Sequence, residues 1–104
     1  MCAYEIIVKG EGGFVVRCQD CGAINVVFGN TAMSVYKPEF LDLQECIREK
    51  MQKHRSGYRP QVREIYVDTP LPGYKMLFSF EELQAFSWLL IKAKLILDVR
   101  PSVN

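Results

Sequence analysis

The 104-residue sequence predicts an α+β fold, a two-layer sandwich in which a mainly antiparallel six-stranded sheet carries two helices on one face. Three observations lead to this prediction. Residues 4–35 alternate with a period of two and are interrupted by glycine-rich turns at 10–13 and 29–30. From Lys37 the apolar residues recur with a helical period. Two further strand-like runs and a second helical run complete the chain.

Four strands are predicted in the first third of the chain, over residues 4–8, 14–18, 23–28 and 31–35. They should form an antiparallel meander with one apolar face. The alternating apolar positions assigned to that face are Phe14, Val16 and Cys18 in the second strand, then Ile24, Val26, Phe28, Met33 and Val35.

The first helix is predicted from Lys37 to about His54, because apolar residues recur at helical spacing. Its stripe consists of Phe40, Leu43, Ile47 and Met51. Strands are expected at 62–67 and 74–78, separated by a proline-containing loop. Ser79 and Glu82 then form a capping box at the start of a helix that runs to about Leu97.

The order of elements suggests two ββα units in one domain, 1–104, because laying Met33 on Met76 also lays Glu39 on Glu82. The predicted parts are a leading hairpin 1–13, a first unit 14–54, a link 55–61, a second unit 62–97 and a tail 98–104.

Composition excludes several classes of protein. With 49% hydrophobic residues the chain can build a core, and a net charge of +1 provides no global field for nucleic acid or an anionic membrane. No apolar run reaches the roughly 18 residues of a membrane span, and the N-terminus lacks an export signal. A cytoplasmic protein is therefore expected, in which the cysteines are thiols or metal ligands.

The most specific chemical signal is Cys18-Gln19-Asp20-Cys21-Gly22. A cysteine pair at this spacing, followed by glycine, is half of a zinc-ribbon or rubredoxin-like site. Pairing of the first two strands should bring Cys2 to the same end of the sheet, so Cys2, Cys18 and Cys21 are the candidate ligands. The sequence leaves open structural zinc, a redox-active dithiol, or plain thiols in a turn.

Two other residues whose side chains could bind a metal are expected to lie too far from this turn to share one ion with it. The first helix should lead away from the cysteine end, which puts Cys46 roughly 13 Å and His54 roughly 25 Å along it. Cys46 is interpreted as a small buried hydrophobe and His54 as a residue at the helix end.

Neither catalysis nor nucleic-acid binding has a strong signal. The only histidine has no motif partner, and Glu81-Glu82 is explained by helix capping, so no enzyme is predicted. A basic segment between Arg48 and Arg63, with Tyr58 inside it, could contact phosphates as a weak nucleic-acid binder. Glu49 and Glu64 interrupt it, which favours a solvated surface.

The C-terminal helix is apolar almost all round. Leu83, Phe86 and Leu90 are sufficient for a core stripe, yet Trp88, Ile91 and Leu95 lie on a different face. A chain of this length leaves no further layer to cover that face. We therefore expect homodimerisation, with these three residues at the interface.

The string Cys18 to Asn30, C-x2-C-G-x-I-x-V-x-F-G-N, followed by Glu39-Phe40, resembles a group of short bacterial proteins of unknown function. The resemblance implies a bacterial, cytoplasmic, stand-alone domain. Taken together, the sequence predicts a non-enzymatic homodimeric interaction or regulatory domain. The alternatives are a zinc- or thiol-dependent protein and a weak nucleic-acid binder.

Overall fold

The computed structural model describes residues 3–54, 61–69 and 72–100. The elements follow in chain order: β1 (Tyr4–Gly10), β2 (Gly13–Cys18), β3 (Ile24–Phe28), β4 (Thr31–Val35), α1 (Lys37–Lys53), β5 (Ile65–Asp68), β6 (Lys75–Phe78) and α2 (Phe80–Val99). The α+β class is confirmed. No described helix is both long enough and apolar enough to cross a membrane.

The strands do not form the single six-stranded sheet that the sequence predicts. The first four make an antiparallel sheet in the order β1-β2-β3-β4, and β5 and β6 make a separate antiparallel pair. Helix α1 contacts both β4 and β5, while α2 contacts β1, β2 and β6. The second hairpin therefore completes the core by packing on the helices, without extending the hydrogen-bonded ladder.

The turn between β1 and β2 depends on glycine. Gly12 has a φ of 83°, a conformation that side chains with a Cβ rarely adopt. A Cβ at Gly13 would lie 2.1 Å from the carbonyl oxygen of Val27, because this residue pairs directly with Phe28 of β3. The Gly10–Gly13 segment is thus required for both the turn and the close approach of β2 to β3.

Strand β1 contains a β-bulge that simple alternation does not predict. Ile6 pairs with Val16 and Val8 pairs with Val15, so Ile7 has no partner on β2. The bulge turns Ile7 into the core, where it is buried, whereas Ile6 is exposed on the outer face.

The prediction of which side chains of β2 point to the core is wrong. Val15 is fully buried and pairs with the buried Val26, which places it on the core face. Phe14 and Val16 therefore point to the outer face, where Phe14 is exposed. Sequence alternation distinguishes two faces of a strand, but both faces of β2 carry apolar residues, and alternation alone cannot show which one is covered.

The remaining inward positions match the sequence prediction. They are Ile24, Val26 and Phe28 of β3, Met33 and Val35 of β4, and Phe40, Leu43 and Ile47 of α1. Helix α1 ends with His54 as its C-cap, and the Glu39 carboxylate accepts a hydrogen bond from the Tyr36 N–H at its start. Helix α2 begins at the predicted capping box and continues two residues past Leu97.

Three aromatic rings join the two sheets through α2. Phe86 of α2 lies 4.8 Å from Phe28 of β3 and 5.3 Å from Phe78 of β6, measured between ring centroids. Phe86 has no exposed surface. This cluster is the point at which the four-stranded sheet, the second hairpin and α2 meet.

One charged group is buried between the sheet and the end of α2. Arg17 of β2, 7% exposed, donates from Nη2 to Glu5 of β1 at 2.6 Å. Arg100, the C-cap residue of α2, lies 3.8 Å from the other carboxylate oxygen of Glu5. The Glu5 carboxylate therefore neutralises a buried guanidinium and also holds the end of α2 beside β1.

The α2 capping box gives the fold an acid-sensitive contact. Hydrogen bonds from Arg63, followed by the backbone N–H of Ser79, lower the pKa of Glu82 below its ordinary value of 4.5. A lowered folded-state pKa contributes stability above the unfolded pKa, and that contribution is lost as the pH falls through the folded value. We expect wild-type stability to fall more than that of Glu82→Gln between about pH 6 and about pH 3.

Urea denaturation at the two pH values measures this difference. Glu81→Gln, a change at the neighbouring exposed carboxylate, is the matched control and should keep the wild-type acid sensitivity. An equal loss of stability in wild type and Glu82→Gln would show that this contact contributes nothing to the pH dependence.

Candidate functional site

Helix α2 exposes an apolar stripe on the side opposite its buried one. The core side of α2 consists of Leu83, Phe86, Leu89, Leu90, Ala93 and Leu97. On the other side, Trp88 is 62% exposed, Ile91 37% and Leu95 61%. The three residues that the sequence predicts as an interface are thus exposed to solvent in the single chain.

The exposed stripe extends further than the sequence predicts. Because α2 continues to Val99, that residue follows Leu95 at helical spacing and is 76% exposed. The sequence prediction ended this helix near Leu97 and assigned residues 98–104 to a tail, so it did not include Val99. The spacing of four residues from Leu95 would have indicated that Val99 lies on the same face. We call Trp88, Ile91, Leu95 and Val99 the α2 stripe.

A shallow pocket of about 340 Å³ lies beside the stripe, between α2 and the β1–β2 turn. Its lining includes Gly10, Trp88 and Lys92. The Lys92 ammonium group lies 6.0 Å from the centre of the Trp88 ring, within range of a cation–π contact. The N-terminal end of the stripe therefore consists of the Trp88 indole with one positive charge beside it.

The Cys18–Gly22 segment forms a tight turn around a sulfur atom. The Gly22 N–H donates to the Cys18 carbonyl and the Cys18 N–H donates to the Ala23 carbonyl, while Gly22 adopts a φ of 81°. The Cys21 N–H points at Cys18 Sγ, with 3.4 Å between nitrogen and sulfur. Cys18 is fully buried, whereas Cys21 is exposed.

Cys18 is buried by this turn and lies outside the hydrophobic core cluster. The prediction that it belongs to the core face is therefore wrong. It pairs in register with Tyr4, whose exposed side chain lies on the outer side of the sheet. Burial of a thiol at a turn rather than in the core is a placement that residue type alone cannot predict.

The third predicted ligand, Cys2, lies outside the described residues. Its neighbour Ala3 is held against the cysteine turn by two hydrogen bonds. The Gln19 N–H donates to the Ala3 carbonyl at 2.8 Å, and the Ala3 N–H donates to Asp20 Oδ2 at 3.1 Å. Among the described residues, no group of three histidine, cysteine or carboxylate side chains is arranged to hold a metal ion.

The two residues discounted as ligands are elsewhere on α1. Cys46 is partly buried against the hydrophobic core, and burial, followed by nearby carboxylates such as Glu49, raises the pKa of its thiol. His54 is exposed at the C-cap of α1. A thiol that resists ionisation is a poor metal ligand, which agrees with the interpretation of Cys46 as a packing residue.

The basic segment presents less charge than its sequence suggests. Arg48 is paired with Glu45, and Arg63 donates a two-pronged hydrogen bond to Glu82. Lys50 and Lys53 lie in the last turn of α1, where their positive charges interact favourably with the helix dipole. Arg55, Tyr58 and Arg59 fall outside the described residues.

Comparison with protein families matches residues 1–98 to the family of unknown function DUF6686. The chain belongs to this family. The match covers all eight elements of the fold apart from the last residue of α2. No curated protein and no solved structure matches the chain.

Proposed function

We propose that this DUF6686 chain is a non-enzymatic interaction module that works as a homodimer, joined through the α2 stripe. The observation that carries the proposal is the exposure of four large apolar side chains on one face of α2. A helix that is apolar on both sides is typical of a helix covered on both sides. The sheets cover one side of α2, and a second copy of the chain covers the other side in the proposed dimer.

The area of the stripe supports a second copy as the occupant. From their exposed fractions, the four side chains present roughly 450 Å² of apolar surface. A standard interface buries about 800 Å² per partner, and homodimer interfaces are about 65% apolar, so about 520 Å² of apolar surface is needed. The stripe therefore supplies most of this requirement.

The energy of burial is also adequate. At about 25 cal/mol per Å², roughly 450 Å² gives about 11 kcal/mol per subunit, or about 22 kcal/mol for the pair. Association costs an estimated 4–15 kcal/mol or more in lost motion, together with the ordering of side chains. The difference of about 7–18 kcal/mol corresponds to a dissociation constant of about 10 μM or lower.

The spacing of the stripe is self-complementary. Trp88 and Leu95 lie at equal distances on either side of the Ile91–Lys92 bond. In an antiparallel pair of α2 helices related by a two-fold axis at that point, the indole of each subunit contacts the leucine of the other. The helix dipoles also oppose each other in this arrangement.

The outer face of the four-stranded sheet is the competing surface. It exposes Tyr4, Ile6 and Phe14, with exposed fractions between 40% and 56%. Lys9 lies among these residues, and β3 and β4 contribute Asn25 and Ser34 at the positions paired across from Val16. Three of the four side chains of the α2 stripe, those of Trp88, Leu95 and Val99, are more exposed than any of these, which favours the stripe as the interface even though Lys92 lies beside Trp88.

Trp88 provides a direct test because it is the only tryptophan of the chain. If the dimer forms, indole emission at tens of micromolar should be blue-shifted and protected from acrylamide quenching, and both properties should be lost on dilution. Emission typical of an exposed indole that does not change with concentration would contradict burial of Trp88 between subunits.

Nucleic-acid binding is the weaker alternative, because carboxylates pair with Arg48 and Arg63. We expect the protein to pass through a polyanion column without retention even at low salt. Phosphate contacts would instead give retention that falls steeply as salt rises, since each contact releases counterions. Salt-dependent retention that disappears in a double variant, Lys50→Gln with Lys53→Gln, would favour nucleic-acid binding.

A further inference from the structure

The turn between β2 and β3 brings two sulfur atoms close to each other. It is closed by a hydrogen bond of 2.9 Å from the Gly22 N–H to the Cys18 carbonyl. A turn places its first and fourth Cα atoms within about 7 Å, and disulfides join Cα atoms that are about 4.4–6.8 Å apart. Cys18 Sγ lies 3.4 Å from the Cys21 nitrogen, to which the Cβ carrying the second sulfur is joined through Cα. A disulfide between Cys18 and Cys21 is therefore compatible with the backbone of this turn.

The two thiols differ in their access to solvent. Cys18 has no exposed surface and lies outside the hydrophobic core cluster, whereas Cys21 is exposed. A thiol exchanges with a dissolved disulfide only where the reagent can reach it. Cysteines that respond to oxidants are typically exposed and lie next to a second cysteine that resolves the first product. Cys21 is thus the thiol that meets the reagent, and Cys18 is in position to complete the reaction.

We propose that Cys18 and Cys21 form a reversible disulfide by exchange with small-molecule disulfides of the glutathione type. The Cys21 thiolate attacks one sulfur of the reagent, so that a mixed disulfide forms and one small thiolate leaves. The Cys18 thiolate then attacks Cys21 Sγ and expels the second small thiolate. Two protein thiols are oxidised to one disulfide, the reagent is reduced to two thiols, and the two protein protons pass to them.

The backbone of the turn supports the second step. The Cys21 N–H points at Cys18 Sγ and stabilises the negative charge that this sulfur carries as the attacking thiolate. The residues between the cysteines also hold the start of β1, since the Gln19 N–H donates to the Ala3 carbonyl and Asp20 Oδ2 accepts from the Ala3 N–H. The proposed oxidation site therefore lies at the contact that anchors the first strand, and it is independent of the proposed dimer.

Glutathione disulfide and intact mass spectrometry test the proposal. The full-length chain with Cys2→Ser and Cys46→Ser keeps only Cys18 and Cys21 as thiols. After reduction and incubation with excess glutathione disulfide, this parent chain should become lighter by two hydrogens and carry no glutathione. Reduced glutathione should then restore the starting mass. An unchanged mass, or a product that retains glutathione, would overturn the proposal.

Two variants of the parent chain separate the roles of the thiols. With Cys18→Ser, one glutathione should remain attached to Cys21, because the second step is missing. With Cys21→Ser, the chain should consume glutathione disulfide at least about 10-fold more slowly than the parent, since Cys18 reacts only in molecules whose turn has opened. Cys21 is exposed, so this variant should keep the fold, which circular dichroism checks. A rate equal to that of the parent would contradict the proposed order of the steps.

The wild-type chain shows whether the pairing holds when all cysteines are present. Trypsin cuts after Arg17 and so separates Cys2 from the pair. After the same treatment, the peptide that begins at Cys18 should be lighter by two hydrogens and contain Cys21. A disulfide that joins Cys2 to this peptide would overturn the assignment. Trp88→Asp should form the same disulfide as the wild type, so failure of the proposed dimer does not affect this test.

Discussion

Replacing Trp88 with Asp should convert the proposed dimer into a folded monomer. A carboxylate at this position would be buried against apolar side chains of the second copy, where an unpaired charge is strongly unfavourable. With the loss of apolar contact, we expect the dissociation constant to rise by at least about 1,000-fold, which corresponds to about 4 kcal/mol. The core side of α2 is unchanged, so circular dichroism and the denaturation midpoint of the monomer should remain native-like.

Two further variants locate the interface. Leu95→Glu places a charge at the other end of the stripe and should dissociate the dimer as well. Ile6→Glu is the matched control, since Ile6 is a comparably exposed aliphatic residue on the outer face of the sheet. Dissociation by Ile6→Glu, with an intact dimer in Leu95→Glu, would move the interface from α2 to the sheet.

Phe86→Ala should produce the largest loss of folding stability among single changes in the aromatic cluster. Phe86 is fully buried and contacts the rings of Phe28 and Phe78, which belong to different sheets. Truncating such a ring costs about 3–5 kcal/mol because both the transfer energy and the cavity contribute. For a domain with a total stability of roughly 5–15 kcal/mol, this is a large fraction.

Phe14→Ala provides the comparison for Phe86. Phe14 is 40% exposed on the outer face of β2, and we expect its truncation to cost less than half as much as that of Phe86. Urea denaturation of the two variants at equal protein concentration measures the difference. Equal losses would mean that the outer face of the sheet is packed as tightly as the core.

Local features were predictable from the sequence because they depend on residues close together in the chain. Ser79 and Glu82 form a cap through one helical turn, and Gly29-Asn30 closes the hairpin between neighbouring strands. The exposed stripe on α2 was predictable for the same reason, since helical spacing alone separates Trp88 from the core residues.

Other features depend on contacts between distant residues. The bulge at Ile7 changes which side of β1 faces the core, and no turn residue or proline marks it. The second hairpin was expected to join the sheet, but it forms a separate pair and α1 contacts both β4 and β5, an arrangement that local sequence patterns do not specify. Likewise, residue type could not show that Cys18 is covered by its own turn.

The solution mass of the wild-type protein decides whether the α2 stripe joins two copies of the chain. Multi-angle light scattering at tens of micromolar should give twice the 12.0 kDa subunit mass, with conversion to the monomer on dilution or in Trp88→Asp. A wild-type mass of 12.0 kDa at that concentration would show that the α2 stripe does not join two copies, and would contradict the account of this chain as a homodimeric module.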